Sequence, residues 1–112
     1  MALAHVAPAA AVDPVPPFIP PEADWLTAVN YYRAMAGMPA VTENATWSQG
    51  AYSHSCYMLY NGISHDEIPG KTGYTTAGDN AGNNGNVAFS SAYGTTARSH
   101  IELWMTGPFH AI

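Results

Sequence analysis

Residues 94–112 read GTTARSHIELWMTGPFHAI, and this closing stretch decides how the rest of the chain is read. Ala97, Ile101, Trp104 and Met105 recur at three- and four-residue spacing, which predicts a helix from about residue 95 to 105 with one apolar face. Gly107-Pro108 stops it and leaves His110 in the loop just beyond. His100 shares the side of Ala97 and Trp104, where it is either a packed histidine or a third group of a polar cleft; packing is the expectation.

Working back from that helix, residues 63–93 change character to Gly, Asn and Thr. This reads as a long loop with only short strands, the clearest at Val87-Ala88-Phe89 after the turn signal Asn83-Asn84-Gly85-Asn86. So long an irregular segment in a small domain usually carries function. A second helix is predicted from Asn44 to about Asn61, with Thr42 or Asn44 as its cap and Gly62 as its stop. Trp47, Ala51, His54 and Met58 share one face of it, so His54 is expected as a buried structural histidine. A first helix starts near residue 23, with Glu22 and Asp24 in its first turn, and Gly37 and Pro39 end it. The three tryptophans, Trp25, Trp47 and Trp104, stand at helical spacing among apolar neighbours and are expected in the core.

Ahead of these lies a leader, residues 1–21, holding six of the nine prolines at positions 8, 14, 16, 17, 20 and 21. Proline fixes φ and removes a backbone donor, so the segment favours extended polyproline II over a packed element. Ala9-Ala10-Ala11 resembles the end of a secretory signal peptide without its charged start; a plain flexible tail is the alternative. The remainder, residues 22–112, is one domain, because 112 residues and 11.9 kDa do not support two cores.

Composition narrows function by exclusion. Only 10% of the residues are charged, and three basic against eight acidic side chains give a net charge of −5, which repels the phosphates of nucleic acid. No apolar run approaches the roughly 20 residues needed to span a bilayer. A single cysteine, Cys56, excludes an internal disulfide and a cysteine-rich zinc site. No Gly-x-Ser-x-Gly elbow, His-Glu-x-x-His pair, P-loop or dinucleotide fingerprint occurs. The chemistry therefore falls to histidines and carboxylates. His65 and His110 both follow helices, and histidine suits a borderline metal ion. Asp66 and Glu67 come directly after His65, and Asp79 stands in the Gly-rich stretch.

The order of these features is similar to that of a known family. Asn30-Tyr31-Tyr32-Arg33, then Gly37-Met38-Pro39-Ala40-Val41, Trp47-Ser48, His65, Gly78-Asp79-Asn80 and the closing run from Trp104 to His110 together resemble a bacterial member of the CAP superfamily. These are the secreted relatives of cysteine-rich secretory, antigen 5 and pathogenesis-related 1 proteins. The resemblance covers roughly residues 23–112, and WMTGPFH is its most specific part.

The resemblance implies an α+β fold, the CAP-type α-β-α sandwich, with a cleft of two histidines and acidic residues that in some members holds zinc or another divalent cation. His65 matches the first cleft histidine and His110 the second. Asp79 matches the acidic position if Gly78-Asp79-Asn80 is the family's Gly-Glu-Asn motif; a register on Asn84-Gly85-Asn86 would leave no carboxylate. The family's second glutamate falls on Gly107, with Glu67 and Glu102 as candidates to replace it. His100 and Tyr74 are further candidates for the cleft or for a ligand groove. Family domains continue into strands after the second histidine, so the expectation is a chain cut short at its C-terminus, mostly helix and loop with little strand. If the chain does end at Ile112, dimerisation or strand addition by a partner would cover the sheet edge.

Two functions follow from this resemblance and from the residues. One is a secreted binding or interaction module that takes a small lipid or sterol, a glycan or a peptide, and needs no catalytic nucleophile. The other is a metal-dependent hydrolase in which His65 and His110 hold the metal and Asp79 or Glu67 activates water. The first is the expectation, with no enzymatic activity.

Overall fold

Each helix of this chain starts on a side chain short enough to bond the amides of its own first turn. The computed structural model describes residues 23–92 and 94–107, and within them lie α1 Trp25–Met35, α2 Ala45–Asn61, α3 Thr76–Asn83 and α4 Ala97–Met105. Asp24 caps α1 by accepting the Thr27 N–H at 2.7 Å, so it sits one position outside the turn where the spacing had put it. That charge-assisted bond holds its carboxyl below the ordinary 3.8. Asn44 accepts from the Thr46 and Trp47 amides at the start of α2, and Gly62, at φ +87°, ends that helix. Thr96 and Ser99 form a reciprocal capping box on α4.

The loop after α1 is fixed by two side chains of α1 itself. Asn30 donates to the Val41 carbonyl at 2.9 Å and accepts the Val41 N–H at 2.8 Å, while Arg33 Nε donates to the Pro39 carbonyl at 2.8 Å. The Asn-x-x-Arg spacing therefore places one amide and one guanidinium on the same helix face, one turn apart, to clamp residues 39–41.

Two expectations are corrected in the stretch read as loop. Thr76–Asn83 is a helix, and residues 86–91, including Val87-Ala88-Phe89, form no strand; no strand occurs among the described residues. The sequence of α3, TAGDNAGN, is poor in helix-favouring residues, and tertiary packing overrides that weakness. Its glycines let the backbone come close. A Cβ on Gly50 of α2 would meet the Ala77 carbonyl at 2.8 Å, one on Gly78 would strike the Glu67 carboxylate, and one on Gly82 would strike the His65 carbonyl and the His54 ring.

α2 packs on α3 and α1 on α4, and no other two of these helices meet at backbone distance. The α1 and α4 pair closes over Ala23, Ala28 and Ile101, with Val29, Tyr31, Tyr32 and Trp104 packed against them. Tyr31 and Tyr32 meet edge to face, their centroids 5.3 Å apart. Burial, helped by the Glu102 carboxylate and opposed by Arg98, pushes the Tyr32 phenol above its ordinary 10.0. Trp104 is half-buried, but Trp25 and Trp47 are exposed, contrary to the expectation of core packing. The reason is geometric. The two helix pairs do not close on each other, so these indoles become walls of the space between them.

Candidate functional site

Segment 64–67 lies between α2 and α3, and its position is set by side chains that face it from both helices. From α2, His54 reaches the segment with both ring nitrogens: Nε2 donates to the Ser64 carbonyl at 2.8 Å, and Nδ1 lies 2.9 Å from Glu67 Oε1. A carbonyl only accepts, so Nε2 carries a proton, and a second proton lies between Nδ1 and Oε1 on either the imidazole or the carboxyl. His54 is 3% exposed and Glu67 4%. The other Glu67 oxygen accepts the Thr75 N–H at 2.8 Å, at the start of α3. Tyr57, stacked on His54 one turn along α2, accepts the Ile68 N–H at 3.0 Å. Glu67 thus faces inward and joins three elements.

From α3, Asp79 and Gly82 hold the outer side of the same segment. Asp79 Oδ1 accepts the Glu67 N–H at 2.8 Å and a bond from Asn83 Nδ2 at 3.2 Å. One turn on, the Gly82 carbonyl accepts from His65 Nδ1 at 2.7 Å. That bond fixes the tautomer of His65 and leaves Nε2 with its lone pair and no partner among the described residues, on an exposed side chain. The i, i+3 spacing of Asp79 and Gly82 sets the carboxylate and the imidazole side by side along α3.

The family is now decided by comparison. The family model for CAP, the cysteine-rich secretory protein family, matches residues 26–111. The chain belongs to the CAP family. No curated protein and no solved structure gives a significant match.

Within this CAP domain the sequence-predicted residues separate into groups. His65, Asp79 and Glu67 share the α2 and α3 side, but Glu67 spends its oxygens on His54 and Thr75. Tyr74 is half-buried in the turn that leads into α3. Glu102 stands on α4, where Oε1 accepts from Arg98 Nε at 2.7 Å, and it does not join His65. His100, also on α4, donates from Nδ1 to the Thr96 carbonyl, while its Nε2 is buried without a partner and the ring lines a cavity of about 310 Å³ with His54 and Trp104. His110 lies outside the described residues, as does the leader.

Sequence reasoning had marked His54 and Glu67 separately without joining them. The signals that could have found α3 were Thr75 three residues ahead of Gly78, a carboxylate in the first turn, and small residues at 77, 78, 81 and 82. For a metal ion, the described residues bring no three of His, Cys, Asp and Glu together. His65 Nε2 and Asp79 Oδ2 are coordinating atoms that remain free where the segment meets α3, fewer than the three or four that zinc takes from protein. The described residues by themselves do not fit a zinc site.

Proposed function

We propose that the chain is a secreted interaction module that binds a small lipid or sterol, a glycan or a peptide rather than transforming one. The observation that supports this reading is a groove of about 550 Å³ between α1 and α4, walled by Trp25, Val29, Tyr32, Met38, Ile101 and Met105 and rimmed by Arg33 and Asn86. An apolar trough of that size with polar groups at its edge suits an amphiphile. Family membership supports the extracellular setting, and no helix among the described residues is long and apolar enough to cross a membrane.

The finer architecture we propose is the sandwich of the family, with the two helix pairs as its outer layers. The space left between the two pairs, walled by Trp25, Trp47 and Trp104, is where a middle layer would lie. Binding is favoured over hydrolysis because, of the two carboxylates that would activate water, Glu67 is buried with both oxygens on His54 and Thr75, and Asp79 holds the Glu67 amide with one of its two. A divalent cation would draw on His65 Nε2, Asp79 and His110 together.

The test titrates a fatty acid, a sterol and cell-wall fragments into the full chain and repeats the series with Met38→Asp, at an exposed residue of the groove wall outside the core. Saturable binding of one of these, lost in the variant, is the expected result; no binding by the intact chain removes the reading. Calorimetry with zinc on the full chain, His65→Ala and His110→Ala tests the cation, and unchanged binding in both variants removes it from His65 and His110.

A further inference from the structure

Two asparagines of this chain are followed directly by glycine, Asn61-Gly62 and Asn84-Gly85. That pairing is chemically unstable. With no Cβ on the second residue, its backbone nitrogen can approach the asparagine side chain and attack Cγ. The N–Cγ bond forms as the Cγ–Nδ2 bond breaks, ammonia leaves carrying the proton of the attacking amide, and a five-membered succinimide remains. Water then opens the ring at one carbonyl or the other, giving aspartate or, with the backbone rerouted through the side chain, isoaspartate. Nothing but water is consumed. Which pair reacts depends on whether the fold leaves the attacking nitrogen and the carboxamide free to meet.

The two pairs end two different helices and are held in different ways. Asn61 is the last residue of α2, and its Nδ2 donates to the Tyr57 carbonyl at 2.9 Å and to the Thr72 carbonyl, in the turn before α3, at 2.8 Å. The Gly62 N–H donates to the Met58 carbonyl at 2.9 Å. There the nucleophile is bound and the carboxamide is tied to a second segment. Asn84 directly follows α3, and its Nδ2 donates at 2.8 and 3.2 Å to the carbonyl and the side-chain oxygen of Asn80, both in the last turn of that same helix. The Gly85 N–H has no acceptor among the described residues, and both residues are exposed. Every bond that holds Asn84 is therefore lost when the end of α3 frays, and an eight-residue helix poor in helix-favouring residues frays readily.

We propose that Asn84 is a site of spontaneous modification, converting through the succinimide to isoaspartate and aspartate while the fold protects Asn61, and that the conversion releases His65. The product carries a carboxylate where Asn84 Nδ2 donated, so the two Asn80 oxygens lose their donor. It also places negative charge at the C-terminal end of α3, the pole where the helix dipole disfavours it. The last turn so weakened contains Gly82, whose carbonyl accepts from His65 Nδ1 and fixes the imidazole. One covalent event at residue 84 thereby frees a histidine seventeen positions earlier than Gly82. This is independent of lipid binding between α1 and α4.

Trypsin separates the two pairs, because the three basic residues of the chain are Arg33, Lys71 and Arg98: the peptide of residues 34–71 carries Asn61 and that of residues 72–98 carries Asn84. The full chain is aged warm at neutral and at mildly alkaline pH, then digested and sequenced by mass spectrometry. The expected result is acid accumulating at residue 84 as two isomers, faster at the higher pH, with residue 61 still an amide; in urea both pairs should convert alike. Ageing should also speed amide exchange in α3 several-fold and shift the imidazole NMR signals of His65, and neither change should occur in aged Asn84→Gln. No acid at residue 84, equal conversion of both pairs in the folded chain, or protection of Asn61 that persists in urea would overturn the proposal. Conversion that leaves α3 exchange and the His65 signals unchanged would overturn the release of His65.

Discussion

Glu67 shows how far a single residue was readable. Its position directly after His65 suggested a cleft carboxylate, and proximity in sequence could not show that its side chain turns the other way, into a buried contact with His54 thirteen residues earlier. Removing one partner of such a pair leaves the other buried and unanswered, so Glu67→Ala is expected to cost about 3–5 kcal/mol in urea unfolding. Glu67→Gln should cost much less, because its amide donates to His54 Nδ1 and its carbonyl still accepts from Thr75; an equal loss in both variants would show that the pair depends on the carboxylate's charge and not on these hydrogen bonds. Cap residues were more legible, since capping depends on local chemistry. Asn44→Ala should lose about 1 kcal/mol, with Asn44→Asp retaining most of it in the same measurement. At Asp24 the lowered carboxyl sets a sign: the folded state binds its proton less readily than the unfolded chain, so the contribution of the cap is complete above pH 3.8 and disappears as pH falls through the lower folded value. Asp24→Asn should flatten the acid side of the stability profile.

At the scale of elements, α1, α2 and α4 were visible because apolar periodicity and end signals agree in each. α3 was not, because its eight residues have no apolar periodicity to support the cap at Thr75 and the first-turn Asp79. It exists through contact, with glycine at 78 and 82 admitting side chains from segment 64–67 and α2. A methyl group at Gly82 would have to displace both the His54 ring and the His65 carbonyl. Gly82→Ala is therefore expected to lower stability by about 1–3 kcal/mol and to release His65 from its bond to the Gly82 carbonyl, seen as a change in the imidazole NMR shifts of His65. A fully native spectrum would refute the close packing of α3 on α2. The clamp of Asn30 and Arg33 on residues 39–41 is a similar case: the motif was quoted from the sequence, but its work is structural and required the loop's return path to be seen.

For the whole molecule, the family was legible and the arrangement of layers was not. The ordered motifs between Asn30 and His110 were enough to identify a CAP chain, because they preserve linear order. The exposure of Trp25 and Trp47 was hidden, because helical spacing says which face a side chain occupies and nothing about what lies opposite that face. The union of α1 and α4 has its own pH signature. Tyr32 keeps its proton longer when folded, so its contribution is present below pH 10 and falls as pH rises through the elevated folded value. Ultraviolet titration of the full chain should show one tyrosine ionising late, and Tyr32→Phe should remove it and leave unfolding less sensitive to alkali.

The dependence of α3 on its neighbours bears on when the site exists at all. An eight-residue helix of this composition has little stability of its own, so its amides should exchange with deuterium through local opening, ahead of those in α2. Each opening takes away the Asp79 carboxylate and the Gly82 carbonyl that orient segment 64–67 and His65. Any ligand at that edge meets a fluctuating population and binds only its closed members, so its apparent affinity includes the closing equilibrium, and its arrival should slow exchange in α3 before anywhere else.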